Sequence, residues 1–211
     1  MKADTIIINI KQIATMAEPG NMKTGVAMNE ANIVENAGIA IKDGVILEIG
    51  NSSDIASKYI WDEEIDAQGG IITPGFVDSH SHPVFVHTRE DEFAMRLAGK
   101  SYVEIALAGG GIRSSIASVV EASEEELIEL AVPRIKRMIE QGTTTLEAKS
   151  GYGLSVESEL KQLRVISRLN EILPIDIVAT FMGAHEYPAI YKNDHETYIS
   201  ILTKEMIPAV K

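Results

Sequence analysis

Residues 73–82 read TPGFVDSHSH, and the fold turns on this stretch. Ile71, Ile72, Phe76 and Val77 make an apolar approach, Pro74 and Gly75 bend it, and His80 and His82 close it. In an extended segment, side chains at i and i+2 project to the same side. His80 and His82 can therefore turn both imidazoles toward one ion while Ser81 points away, and neutral imidazole is the commonest side-chain metal ligand. Asp78 offers a carboxylate able to orient such a ligand from behind. The stretch predicts a β-strand with a buried approach and a metal site at its C-terminal end.

Downstream, strands alternate with helices, the pattern of parallel βα units. Ser123-Glu124-Glu125-Glu126 has the spacing of a capping box. Leu127, Leu130, Ala131, Ile135, Met138 and Ile139 then recur at helical spacing until Gly142, with Pro133 expected to bend the helix. Thr143 to Glu147 reads as a strand ending in AKSGYG. Ser155 to Leu173 reads as an amphipathic helix through Leu160, Leu163, Ile166, Leu169 and Leu173, closed by Pro174. Ile175 to Met182 is a third strand, leading into Gly183-Ala184-His185, and Glu196 to Val210 a last helix. The strands thus end in HSH, KSGYG and GAH, where parallel α/β folds place their chemistry. As neighbours in one sheet they would bring His80, His82, Tyr152 and His185 around one cavity.

Upstream the pattern is β-rich. Thr5 to Ile10 is a β-branched run, and GIAIKDGVILEI, Gly38 to Ile49, is a hairpin about Asp43-Gly44. Between them, Glu18 to Glu35 is polar and contains Pro19, Gly20 and Gly25, which predicts a long excursion with little regular structure. Residues 1–70 are expected to form a small, incomplete β-sandwich-like domain, and residues 71–211 the α/β part.

Several further residues admit two readings each. Arg89 can hold a substrate carboxylate by paired hydrogen bonds, or pair on the surface with Glu90, Asp91 or Glu92. Tyr152, between two glycines, can bring its phenol to a ligand or anchor its loop. His185 is either functional at its strand end or a core histidine satisfied by a backbone carbonyl. His87 and His195 read as surface residues, and Lys149 as a paired structural lysine, with a carbamylated ligand as its alternative. Gly109-Gly110-Gly111 lacks the Lys-Ser/Thr of a P-loop and the spacing of a dinucleotide fingerprint.

Composition narrows the classes. The chain has 211 residues, 45% of them hydrophobic, which is enough for a substantial core. No cysteine is present, so disulfides and thiolate ligands are excluded and His, Asp and Glu must supply any metal site. A formal charge of −12 argues against nucleic acid or an anionic membrane as partner. No apolar run reaches the roughly 20 residues that span a bilayer, and Asp4 and Lys11 interrupt any signal-peptide pattern, so a cytoplasmic location is expected.

With these residues in hand, PGFVDSHSH resembles the first-strand signature of the amidohydrolase superfamily. TREDEFAMRLAGKSYVEIALAGGGI, TTTLEAKSGYGL, ELKQLRV and TFMGAHEYP are similar to segments of the imidazolonepropionases of histidine degradation. The resemblance covers essentially the whole chain. It implies the first part of an amidohydrolase-type TIM (β/α)8 barrel preceded by a small β domain. It also implies a hydrolase that opens the ring of 4-imidazolone-5-propanoate to N-formimidoyl-L-glutamate with one divalent metal ion, zinc or iron. By motif position His80 and His82 would be metal ligands. Arg89, Tyr152 and His185 would contact substrate, Arg89 at its propanoate and His185, the catalytic residue, at the ring carbonyl or the tetrahedral oxyanion.

This chain also departs from the family pattern. Where the family commonly has HTHLVFGG, it has HSHPVFVH, so Pro83 and His87 alter the loop that positions Arg89. The stretch from Pro74 to Lys211 is too short for a closed eightfold barrel, which takes about 250 residues. The expectation is the N-terminal half of an enzyme, inactive alone, whose third metal histidine, catalytic glutamate and last-strand aspartate lie beyond Lys211. A homodimer is the expected assembly of the complete enzyme. Other readings are a different cyclic amidohydrolase or deaminase of the superfamily, and a non-catalytic assembly or binding fragment.

Overall fold

The computed structural model describes residues 1–17 and 22–211. The chain folds as two units, Met1–Pro74 and Gly75–Lys211. The first is built on β1 (Thr5–Ala14), whose Ile6, Ile10 and Ile13 are buried while Ile7 and Ile8 are half-buried. It pairs antiparallel with β2 (Ile33–Lys42), which turns at Asp43-Gly44 into β3 (Val45–Asn51), as the hairpin signal predicts. After α1 (Ser52–Lys58), β4 (Glu63–Asp66) and β5 (Ile71–Ile72) both pair parallel with β1. Ala3, Ile6, Ala40, Ile55 and Tyr59 make one small core, and Ile10, Ile13, Ala37 and Ile39 another. The long excursion is shorter than the sequence suggests, because residues 33–35 already belong to β2 and Gly25–Asn29 forms a short 3-10 turn. Its first residues, Glu18, Pro19 and Gly20, lie outside the described residues.

In the second unit β6 (Phe76–Ser81), β7 (Thr143–Lys149) and β8 (Asp176–Thr180) form a parallel sheet in that order. Between β6 and β7 run α2 (Glu90–Leu97), α3 (Tyr102–Leu107), α4 (Ile112–Glu121) and α5 (Glu124–Glu140). The capping box forms in both directions at Ser123 and Glu126, and α5 is continuous through Pro133. Next, α6 (Val156–Ile172) connects β7 to β8, and α7 (His195–Ile201) leads through a π-helical turn, Leu202–Met206, into Ile207–Val210.

The core lies on one side of this sheet. Leu146, Ala148 and Ile177 point into it and meet Leu127, Ala131 and Ile135 of α5 and Val165, Ile166 and Leu169 of α6. Among the described residues, strand alternation leaves the opposite face without such cover, and Val77 and Val178 remain 66% and 56% exposed there. The buried approach expected for β6 is therefore corrected: Phe76 is 61% exposed, and Ile71, 63% exposed, belongs to the sheet of the first unit.

Replacing Ser123 with Ala removes the hydroxyl that accepts the Glu126 amide, and the expected loss is about 1 kcal/mol of stability in urea unfolding.

Candidate functional site

Parallel pairing aligns the C-terminal ends of β6, β7 and β8, and the loops that follow carry the candidate residues to one place. The His80 and His82 rings have centroids 6.0 Å apart at 70°. Against His82 lie Tyr152, at 5.0 Å, and His185, stacked at 4.9 Å; Tyr152 and His185 are themselves 5.5 Å apart. Asp78 braces His80 through the backbone rather than the ring, its Oδ1 accepting the His80 N–H at 3.1 Å. Ser81 turns away, as expected, and donates to the Glu147 carbonyl of β7.

Electrostatics keep His82 neutral. Burial first, then the charges of His185, His80 and Lys149, press its pKa down to about 4 against the opposing pull of Glu147. Its Nδ1 is buried without a hydrogen-bond partner among the described residues, and where the other ring nitrogen carries the proton of the neutral imidazole, the lone pair of Nδ1 is one that a cation could satisfy. Two imidazoles thus fit as part of a metal donor set. Among the described residues, no group of three or more His, Asp or Glu side chains gathers to complete one.

His185 Nδ1 lies 3.1 Å from the Gly151 carbonyl oxygen. A carbonyl only accepts, so this contact assigns a proton to Nδ1 and leaves Nε2 uncommitted to it. The reading of His185 as a histidine satisfied by a backbone carbonyl is met at Nδ1. Lys149 forms an ion pair with Glu147, the structural alternative weighed for it. Arg89 donates from Nε and Nη2 to Glu92 Oε2, so its ion-pair reading is realised, while its charge still reaches Tyr152. Burial pushes the Tyr152 phenol up, and Arg89 acts in the opposite direction. His87 and His195 are exposed, and His195 stacks on Tyr187 at 3.8 Å.

Sequence reasoning missed the groups that hold these loops. Glu159, fully buried in the first turns of α6, accepts the amides of Gly151, Gly153 and Leu154 at 3.1, 2.9 and 2.8 Å. A Cβ at Gly153 would lie 2.5 Å from the backbone nitrogen of Glu159, so only glycine allows this approach. Gln162, also fully buried, accepts the Tyr152 amide and donates to the Val84 carbonyl, tying the loop after β7 to the loop after β6. Arg134 on α5 donates to the carbonyls of Pro83, Phe85 and Val86 and lies 3.7 Å over the Phe85 ring. One signal was available. The buried stripe of α6 runs through Ser158, Glu159, Gln162, Val165, Ile166 and Leu169, so the face expected through Leu160 and Leu163 is rotated toward two polar residues.

No protein-family model matches the chain. It is 46% identical to the imidazolonepropionase of Clostridium tetani over 99% of its length and 50% of the relative's. To that of Thermoanaerobacter pseudethanolicus it is also 46% identical, over 100% of this chain and 50% of the relative's. The resemblance read from the motifs is borne out, and the chain spans about half the length of the curated relatives it matches. Among solved structures, a zinc-bound adenosine deaminase from Xanthomonas campestris covers 79% of this chain and 32% of its own, at a TM-score of 0.54 and 15% identity. A mutant atrazine chlorohydrolase from Arthrobacter aurescens, complexed with zinc and atraton, covers 83% and 35% at 0.50 and 17%. These likenesses show the fold alone: the described elements match part of those two chains, and among the described residues the three parallel strands of the second unit do not close into a barrel.

Replacing Glu159 with Ala strands three amides, and at about 1 to 3 kcal/mol for each buried unsatisfied group the loss should exceed about 3 kcal/mol in urea unfolding. Glu157→Ala, on the exposed face of the same helix, should stay within about 0.5 kcal/mol.

Proposed function

We propose that this chain is the N-terminal half of an imidazolonepropionase, which hydrolyses the cyclic amide of 4-imidazolone-5-propanoate to N-formimidoyl-L-glutamate. The observation that carries the reading is the convergence of His80, His82, Tyr152 and His185 at one sheet end, in a chain similar throughout its length to imidazolonepropionases. On this reading residues 1–70 are a small β-sandwich-like domain and residues 71–211 the first part of the barrel. The complete enzyme is a cytoplasmic homodimer.

His80 and His82 hold the divalent metal, zinc or iron. His82 suits the role because its imidazole stays neutral and its Nδ1 lacks a partner among the described residues. A catalytic site of this class takes three protein donors, so at least one more comes from outside the described residues. When bound, the metal makes a hydroxide nucleophile available at neutral pH.

The chain's own residues place the substrate and handle a proton. Arg89 takes the propanoate with its outward N–H groups, and Tyr152 closes beside it. The ring carbonyl then lies over the His82–His185 stack. His185, with Nδ1–H committed to Gly151, accepts a proton at Nε2. As an imidazolium it donates from Nε2 to the oxyanion that forms when the ring carbon is attacked. The ring C–N bond breaks as the oxyanion collapses to a carboxylate, and the proton that His185 took from the attacking water passes from Nε2 to the departing nitrogen, which becomes the terminal nitrogen of the formimidoyl group.

The experiment is turnover by the full-length protein with metal, offered imidazolone propanoate beside hydantoin, dihydroorotate and guanine. Turnover of the first alone is expected, and its absence would reject this assignment. Arg89→Met should raise KM roughly ten- to hundredfold, the worth of a charge-assisted hydrogen bond of about 1.5 to 3 kcal/mol. His80→Ala should abolish metal retention, as measured by elemental analysis after dialysis.

A further inference from the structure

The triple glycine Gly109–Gly111 has no part in the function proposed above, yet it is built against Glu92. Gly111 has φ 86° and ψ −169°, a conformation open essentially only to glycine, and it directs its amide to Glu92 Oε1 at 2.7 Å. A Cβ on Gly110 would lie 3.0 Å from that same oxygen and 3.0 Å from Cγ2 of Ile105. The other carboxylate oxygen, Oε2, accepts Arg89 Nε at 2.9 Å and Nη2 at 2.6 Å. Glu92 is thus fixed at both oxygens and its side chain is 15% exposed, against 41% for Arg89. Among the described residues Arg89 Nη1 has no hydrogen-bond partner, and the guanidinium lies within electrostatic reach of Tyr152. Arg89, Glu92, Gly109 and Gly110 border a cavity of about 320 Å³ lined also by His87, Met95 and Ile105.

We propose that Glu92 is a positioning residue for substrate, acting through Arg89: it clamps the Nε edge of the guanidinium against the triple-glycine loop and so aims the Nη1 side at the ligand. This rests on the assignment of Arg89 to the propanoate. Pairing to Glu92 also cancels the formal charge of Arg89, so the anion is chosen by the direction of the remaining N–H groups rather than by a free positive charge. The ligand class that fits is a planar monocarboxylate, in preference to a phosphate dianion. A carboxylate placed only for solubility would have the opposite effect, since it repels the substrate anion and its removal would tighten binding.

The test uses the full-length metal-loaded protein as wild type, Glu92→Gln, Arg89→Met and the double variant. KM for imidazolone propanoate should rise about fivefold or more in Glu92→Gln with kcat within about twofold, and the effect should vanish in the Arg89→Met background, as coupled neighbours require. An unchanged or lowered KM, or the same loss without Arg89, overturns the inference. A second readout needs no turnover: the Arg89 Nε–H resonance, titrated with imidazole-4-propanoate, with its amide and with inorganic phosphate. The wild type should respond to the carboxylate alone, and Glu92→Gln should weaken that response about fivefold or more. If the carboxylate binds in this way but no imidazolone is hydrolysed, the assigned activity fails and the positioning role stands. No response in the wild type, an equal response to phosphate, or an unchanged response in Glu92→Gln overturns the role itself.

Discussion

A buried carboxylate organises the second unit. Among the described residues Glu159 has no cation beside it; its compensation comes from the amides of Gly151, Gly153 and Leu154, aimed inward by the loop after β7. The requirement is mutual. That loop needs acceptors for donors that cannot reach water, and the helix that follows needs its core-facing glutamate neutralised by dipoles. Tyr152 lies inside this loop, so its place against His82 and His185 follows from the clasp.

The clasp extends to the neighbouring strands. Gln162, on the same buried face of α6 as Glu159, joins the Tyr152 amide to the Val84 carbonyl. Arg134 gathers the carbonyls of Phe85 and Val86 just beyond it, and Ser150 Oγ accepts the Met182 amide at 2.8 Å. The loops after all three parallel strands are therefore cross-linked by buried polar side chains, which suits a site whose rings must keep fixed spacing. The opposite face of the sheet presents Val77 and Val178 beside the Glu147–Lys149 pair, an exposed apolar surface that parallel sheets ordinarily cover.

The Arg89 segment is secured differently. It depends on a surface-side bracket in which a single carboxylate, Glu92, meets both the guanidinium and the triple-glycine loop. That accounts for three consecutive glycines without any phosphate: the backbone must come close to a side chain, and Gly111 must adopt a dihedral pair closed to other residues.

Much was settled by local pattern. Alternation and turn chemistry located β1, the Asp43-Gly44 hairpin and the strands ending in HSH, KSGYG and GAH, because these depend on neighbours a few residues apart. The capping box at Ser123 was legible for the same reason. Tertiary structure decided the rest. The face of α6 rotated from Leu160 and Leu163 to Glu159 and Gln162, because a distant loop supplied the hydrogen bonds that make burying polar groups tolerable. Three short helices arose between β6 and α5 where apolar periodicity was too brief to declare them. Val77 and Val178 stayed exposed because, among the described residues, helices cover only one side of the sheet, and a sequence gives the alternation of a strand without saying which side has a partner.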